Sequence, residues 1–241
     1  MKKRIATALI ATGLMINAPV FARDVNVSIT NLTNGIYFTP LLVAAHNQDV
    51  DLFEVGTPAS ASLQAMAEGG NISGLILQVE SNGGQYVANP AAGLLAPGAT
   101  ASADLEVKHH HKTYLSITGM LLPTNDGFVG LDSLPIPKKH GTYTFYLNGY
   151  DAGTEANDEV ITGGGAPGVA GIPADPGGNS GSGATGAAGV DHNATVHIHR
   201  GVLGDTDPVG GISDLDSRVH RWANPVARIV VTVKGRSEYD D

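Results

Sequence analysis

The chain has 241 residues, of which 23 are acidic and 14 are Lys or Arg, and its net charge at pH 7 is −9. This acidic balance argues against nucleic acid or anionic lipid as an electrostatic partner and favours cation binding. The sequence contains no cysteine, which excludes disulfides, thiol nucleophiles and Cys-ligated metal centres.

The first 22 residues have the pattern of a secretory signal peptide. A basic start (Lys2, Lys3 and Arg4) precedes the apolar run IATALIATGLMI, and the small or apolar residues VFA end at Ala22. The apolar run is too short to span a bilayer comfortably. Cleavage would leave 219 residues and, because the segment holds three basic and no acidic residues, would lower the net charge from −9 to −12. We expect export to the periplasm or the medium.

Alternating apolar residues predict short antiparallel strands along the rest of the chain. In DVNVSITNL, for example, Val25, Val27 and Ile29 share one face. The other segments of this kind are GLILQVE (74–80), ADLEV (103–107), TYLSITGML (113–121), TYTFYL (142–147), ATVHIHR (194–200) and VARIVVTVK (226–234). Because Gly, Pro, Asn and Asp separate them, the sequence predicts an all-β fold, an antiparallel β-sandwich.

One short helix is predicted in TPASASLQAMAEGG. Thr57 suits its N-cap, Pro58 its first helical position and Gly69 its left-handed stop. Its apolar stripe would consist of Leu63, Met66 and Ala67.

Residues 163–189 are dominated by glycine and have too few apolar groups to offset the entropy of ordering. We interpret them as a flexible loop inserted into a single domain of residues 23–235, which the acidic tail 236–241 follows. An interdomain linker is the alternative, but it would leave only about fifty residues for a second core.

Two acidic, turn-forming segments flank the strand TYTFYL: TNDGFVGLDS (124–133) and YDAGTEANDE (150–159). They can share one end of a sandwich only if residues 128–140 cross it and return. In that case Asp126, Asp151 and Glu155 converge, and carboxylates from separate loops form an oxygen cage suited to Ca²⁺. Like charges held together are costly without a cation between them. Plain solvated turns are the alternative.

Several motifs resemble the spondin domain family, the N-terminal module of F-spondin and mindin. The run NLTNGIYFTPLLVAAHNQDVDLFEVGTPASASLQAMAEGG is similar to the start of that domain. TNDGFVGLDSL resembles its acid-then-VG loop, YDAGTE its DAGT turn and WANPVARIVVTV its final strand. The motifs occur in the family's order, from about Val25 to Val233. The resemblance implies a C2-like antiparallel β-sandwich with Ca²⁺ held by Asp126, Asp151 and Glu155.

The resemblance also implies a secreted, non-enzymatic recognition or adhesion module. Its rim loops would bind a cell-surface or extracellular matrix protein or glycan. Two positions depart from the animal members: Glu155 replaces an Asp, and Gly127 replaces a common aromatic residue. Animal members carry disulfides and further modules, so this cysteine-free chain resembles a bacterial, stand-alone member.

The histidines suggest an alternative metal site. His197 and His199 share one strand face in VHIHR, and His109 and His111 share a face in KHHHK. If the two strands are adjacent, four imidazoles could bind zinc or copper. That arrangement would suit a metal-dependent hydrolase or a transition-metal-binding protein of the cell envelope. Solvent-facing histidines are the simpler alternative. The sequence has neither a G-x-S-x-G elbow nor a phosphate-binding loop, so we expect no enzyme.

Overall fold

The computed structural model describes residues 22–108, 113–178, 180–187 and 193–235. The predicted signal peptide, except for its last residue, and the predicted acidic tail lie outside these ranges. No helix in the described ranges is long and apolar enough to cross a bilayer.

Short antiparallel strands dominate the described part of the chain. The strands are β1 (Ala22–Asn31), β2 (Tyr37–Phe38), β3 (Leu42–His46), β4 (Gln85–Ala88), β5 (Thr100–Lys108), β6 (Tyr114–Leu122), β7 (Gly127–Pro135), β8 (Gly141–Asp151), β9 (His197–Ile198) and β10 (Ala227–Gly235). The helices are α1 (Ala61–Gly69) and α2 (Ser73–Ser81).

The long strand β8 joins two sheets. The strands follow the order β4-β3-β6-β7-β8-β10-β1-β5, with β2 on β6 and β9 on β8. Residues 141–147 of β8 pair with β10, whereas residues 148–151 pair with β7. One sheet therefore contains β5, β1, β10 and the start of β8, and the other contains β4, β3, β6, β7 and the end of β8. The predicted antiparallel, all-β sandwich is confirmed.

The main core lies between the two sheets. Val25, Val27 and Ile29, which the alternation places on one face, are all buried there. Leu115 and Ile117 of β6 belong to the same core from the opposite sheet. Each large apolar side chain removed from water in this way contributes about 1.5–3 kcal/mol to folding.

The two helices cover the outer face of the second sheet. Leu63 and Met66 of α1 belong to a second buried cluster with Leu42, Met120 and Phe128 from the sheet. Strand β3 and most of β6 are consequently buried on both faces, and β3 lacks the apolar–polar alternation of a half-exposed strand.

Helix α1 begins later than the sequence predicts. Its N-cap is Ser60, whose hydroxyl oxygen accepts a hydrogen bond from the Leu63 amide at 3.1 Å. Thr57 does not cap the helix: its hydroxyl donates to the Glu54 carbonyl at 2.8 Å, and its own carbonyl accepts from the Val196 amide at 2.8 Å in the segment before β9. The left-handed stop is Gly70, with φ of 69°, rather than Gly69. The predicted apolar stripe is buried as expected.

The strand predicted over residues 74–80 is wrong, because this segment forms α2. Leu75 and Val79, four residues apart, are buried, whereas Leu77 is 64 % exposed. Leu75, Leu77 and Val79 fit a strand pattern equally well, so alternation alone misled the prediction. The Asn71 side-chain oxygen accepts from the Ser73 amide at 3.0 Å, and this contact helps the helix begin.

The Gly-rich segment contains no helix or named strand among its described residues, but carboxylates hold parts of it. The Gly168 amide donates to Glu68 at 2.6 Å, and the Ser182 amide donates to Asp214 at 2.7 Å. Ile172 is fully buried in the main core. The flexibility of the segment and the single-domain boundaries stay predictions.

A pair of leucine variants tests the helical assignment of α2. We expect Leu75→Ala to lower the free energy of unfolding by about 2–5 kcal/mol, because it removes a buried side chain. Leu77→Ala should change it by only about 0.5 kcal/mol, as is usual for a surface position. Denaturant titration measures both. Equal losses would contradict the helix, because a strand would place the two leucines on one face.

Candidate functional site

The β7–β8 hairpin brings the two acidic segments to one end of the sandwich. Gly127, at the start of β7, pairs with Asp151, at the end of β8. Asp126 and Asp151 therefore lie side by side at the open end of the hairpin. The Ala152 amide donates to the Asp126 carbonyl at 3.2 Å and extends this pairing. The segment 124–133, interpreted from sequence as a turn, is largely strand β7.

The Asp126 carboxylate is fully buried, and its two oxygens have different surroundings. Oδ2 accepts three hydrogen bonds from the following turn: the Thr154 amide at 2.7 Å, the Glu155 amide at 3.1 Å and the Thr154 hydroxyl at 3.2 Å. Oδ1 is buried with no hydrogen-bond partner. A buried polar atom without a partner is costly, and an ionised one more so.

Asp151 is a second buried carboxylate beside Asp126. Its Oδ1 accepts from the Gly153 amide at 2.8 Å, and its Oδ2 accepts from the Asn157 side-chain amide at 2.7 Å. Burial and then the negative charge of Asp151 raise the pKa of Asp126 to about 7, although the hydrogen bonds from Thr154 and Glu155 oppose this shift. The local charge is therefore unfavourable at neutral pH unless something positive offsets it.

Glu155, the third predicted ligand, is shared between the site and the Gly-rich segment. Its Oε2 accepts from the Gly171 amide at 3.0 Å, while its Oε1 is buried with no hydrogen-bond partner. Burial raises the pKa of Glu155 to about 7, and the charges of Glu68 and Asp126 act in the same direction, whereas the Gly171 amide and the nearby Asn125 side chain oppose the shift. The backbone of Glu155 is bonded to Asp126, but its carboxylate is held towards Gly171.

The carboxylate oxygens of these three acids are the kind of ligand that a hard cation prefers. Asp126 and Glu155 each present one unpartnered carboxylate oxygen, and Asp151 adds a third carboxylate. Within the described residues, no three acidic or imidazole side chains already surround a common point. A bound ion would therefore have to draw the Glu155 carboxylate away from Gly171 and complete its shell with carbonyls or water.

Two glycines allow the close packing around these acids. Gly153 has φ of +70°, and a Cβ there would lie 2.6 Å from the Thr195 nitrogen and 2.7 Å from its carbonyl oxygen. The DAGT turn thus packs directly on the chain before β9. A Cβ at Gly127 would lie 2.6 Å from the Thr124 hydroxyl and 3.1 Å from the His199 ring. This chain has no space for the aromatic residue expected there from the animal members.

Two of the four histidines of the predicted cluster, His197 and His199, lie within the described residues. His109 and His111 lie outside the described residues, so the four-histidine site stays a prediction. His197 lies opposite Asp151 across β8 and β9, and its Nε2 is 3.8 Å from Asp151 Oδ2. His199 is buried against Trp222, with 5.1 Å between ring centroids, and is not solvent-facing. Burial lowers the pKa of His199 to about 4.

Sequence reasoning missed the polar residues that organise the acids. Asn125 donates to Asp158 at 2.7 Å and accepts from the Glu159 amide at 3.2 Å. The buried Glu159 carboxylate accepts from the Leu203 amide at 2.7 Å and the Ser213 hydroxyl at 2.6 Å. In the sequence, an asparagine stands next to an acid in both acidic segments, TND and ANDE. This pairing is the one sequence signal that pointed to the hydrogen bonds between asparagines and acids.

Asp132, the second acid of the segment 124–133, belongs to a different part of the sheet. It accepts from the Leu52 amide at 3.2 Å and the Ser116 hydroxyl at 3.3 Å. It therefore secures the segment before α1 rather than the acidic end of the hairpin.

Comparisons with known proteins identify the family to which this region of the chain belongs. The family model described as Spondin_N matches residues 28–160, a range that includes Asp126, Asp151 and Glu155. Spondin-2 from Homo sapiens is 30 % identical over 146 residues, which cover 57 % of this chain and 42 % of Spondin-2. The matched region thus spans less than half of that relative.

Two glycine variants test the packing of the DAGT turn. Gly153 and Gly163 have similar φ, 70° and 74°, but nothing lies within 4 Å of a Cβ at Gly163. Alanine in this backbone conformation costs about 1–2 kcal/mol at either site. We expect Gly153→Ala to lower the free energy of unfolding by a further 1–3 kcal/mol or so, because its methyl group overlaps Thr195. Equal losses in denaturant titrations would contradict the close contact.

Proposed function

We propose that this chain, which belongs to the Spondin_N family, is an exported, non-enzymatic recognition module stabilised by calcium. Its partner would be a cell-surface or extracellular matrix protein or glycan, bound through the loops at the acidic end of the sandwich. The observation that carries the proposal is the fully buried Asp126 carboxylate, with one unpartnered oxygen, beside the buried carboxylate of Asp151.

Calcium is the cation that best suits these donors. Carboxylate and carbonyl oxygens are its preferred ligands, and it tolerates irregular shells of six to eight oxygens at about 2.3–2.6 Å. Asp126 Oδ1, Asp151 and Glu155 Oε1 would hold it. When bound, the ion would neutralise the paired acids and link the β7–β8 hairpin to the turn 152–155.

The loops beside the site offer a surface for a partner. Val55 is 55 % exposed and Ile198 is 48 % exposed. They lie on segments joined by a hydrogen bond of 2.8 Å from the Gly56 amide to the Val196 carbonyl. Contiguous exposed apolar patches are typical of binding surfaces, and we propose that Val55 and Ile198 contribute to one. A cation that fixes the neighbouring turn would also fix the shape of this surface.

The most enzyme-like group of residues is structural. His46 Nε2 lies 2.7 Å from the Ser116 hydroxyl, which lies 3.3 Å from Asp132 Oδ1. Ser116 is fully buried, and its hydroxyl accepts from the Ser133 amide at 2.8 Å. No substrate can reach a hydroxyl in this position, and this supports a module without catalysis. A hydrolase that uses the histidines stays the alternative.

Calcium should raise the thermal midpoint of the purified chain. An ion present at a hundredfold excess over its dissociation constant adds about 2.7 kcal/mol to the free energy of unfolding. For a chain of this size, that corresponds to a rise of roughly 5–10 °C. Calorimetry in millimolar Ca²⁺ and in chelator measures the difference.

Variants test whether the calcium-dependent rise of the thermal midpoint comes from the site at Asp126 and Asp151. Asp126→Asn and Asp151→Ala should abolish it, whereas Asp104→Asn, at an exposed acid of β5, should retain it. In chelator, Asp126→Asn should not be less stable than the wild type, because it removes one of two adjacent buried charges. An unchanged midpoint of the wild type at millimolar Ca²⁺ would refute the calcium proposal.

A further inference from the structure

We propose that His197 is a further ligand of this cation, through its Nε2 atom. The site would then take a divalent ion that accepts nitrogen as well as oxygen, such as Mn²⁺, in addition to Ca²⁺. This inference rests on the proposed cation site at Asp126 and Asp151 and adds to it a residue from a different strand, β9.

The hydrogen bond on the other side of the ring sets its tautomer. His197 Nδ1 lies 2.8 Å from the Thr195 carbonyl oxygen. A carbonyl can only accept, so Nδ1 carries the proton and Nε2 of the neutral ring keeps a free lone pair. Histidines that bind metals usually donate their second N–H to a carbonyl or carboxylate in this way.

The position of His197 Nε2 suits a metal ligand better than a hydrogen-bonding group. It lies 3.8 Å from Asp151 Oδ2, which is too long for a hydrogen bond but within ion-pair distance when the ring is protonated. Two atoms that each lie about 2.0–2.2 Å from one ion can be separated by up to about 4 Å. Nε2 and Oδ2 are therefore spaced as two ligands of a single ion.

The backbone around His197 is hydrogen-bonded to neighbouring segments on both sides of the two-residue strand β9. On one side, β9 pairs His197 with Asp151 of β8. On the other side, the Val196 amide donates to the Thr57 carbonyl at 2.8 Å, and Val196 itself is buried. The side chain of His197 is 28 % exposed, which leaves a path for an ion to enter from solvent.

His199, two residues further on, has the opposite tautomer and is excluded as a ligand in this arrangement. Its Nδ1 accepts from the Gly201 amide at 2.9 Å, so Nε2 must carry the proton. That N–H is buried with no hydrogen-bond partner. The two histidines that the sequence places on one face therefore play different roles: Nε2 of His197 keeps a lone pair for a metal, whereas Nε2 of His199 carries a proton and can only donate.

An imidazole ligand changes which ions the site prefers. Calcium selects oxygen donors, whereas imidazole suits first-row transition metals. Loss of His197 should therefore weaken Mn²⁺ binding by about tenfold or more. Calcium binding should change little, because the three carboxylates remain.

Pulsed electron paramagnetic resonance of the Mn²⁺-loaded full chain tests this inference directly. A nitrogen bound to Mn²⁺ gives a characteristic ¹⁴N modulation of the electron spin echo. We expect this modulation in the wild type, its loss in His197→Gln and its retention in His199→Gln. Growth with [¹⁵N]histidine should replace the ¹⁴N pattern in the wild type, and this measurement does not depend on the folding of any variant.

The possible failures can be told apart. Bound Mn²⁺ without ¹⁴N modulation, modulation that persists in His197→Gln, or a pattern unchanged by histidine labelling would overturn the role of His197. If calcium still raised the midpoint in that case, the proposed function would survive. If neither Ca²⁺ nor Mn²⁺ bound the wild type, the proposed cation site would fail, and this inference would fail with it.

Discussion

The acidic end of the sandwich depends on how one buried carboxylate is satisfied. The turn after β8 folds around Asp126 Oδ2 and gives it three hydrogen bonds, while Oδ1 has none. Asp151 adds a second buried charge at the same place. Burying charge without a partner costs several kcal/mol, and this cost is relieved either by protonation of Asp126, whose pKa burial raises to about 7, or by a bound cation. We favour the cation because Glu155 also presents an unpartnered oxygen.

The architecture directs both acids to this end. Strand β8 belongs to both sheets, and its last residues return beside the start of β7. Elsewhere, carboxylates that accept backbone amides secure the irregular segments of a chain without disulfides. Asp214 accepts from the amides of Ile161, Ser182 and Ala184 at 2.7–3.1 Å. Part of the acidic composition therefore serves loop structure, and not only solubility or cation binding.

The sequence predicts the outer strands and the acids better than the inner elements. Strands β1, β5 and β10 keep an apolar–polar alternation, whereas β3 is buried on both faces and gives no such signal. The apolar residues of 74–80 fit both the two-residue period of a strand and the 3.6-residue period of a helix. Only packing in the folded chain distinguishes the two. Asp126, Asp151 and Glu155 are named by resemblance to a family, but the tautomers of His197 and His199 depend on carbonyl and amide groups that no sequence pattern places.

Diffraction from crystals grown in saturating Ca²⁺, and then exchanged into Mn²⁺ for anomalous scattering, tests the central claim most directly. The account predicts a single strong peak within about 2.6 Å of Asp126 Oδ1, with the Asp151 carboxylate in the same shell. An Asp126 Oδ1 that bonds only to protein or water under these conditions would contradict it.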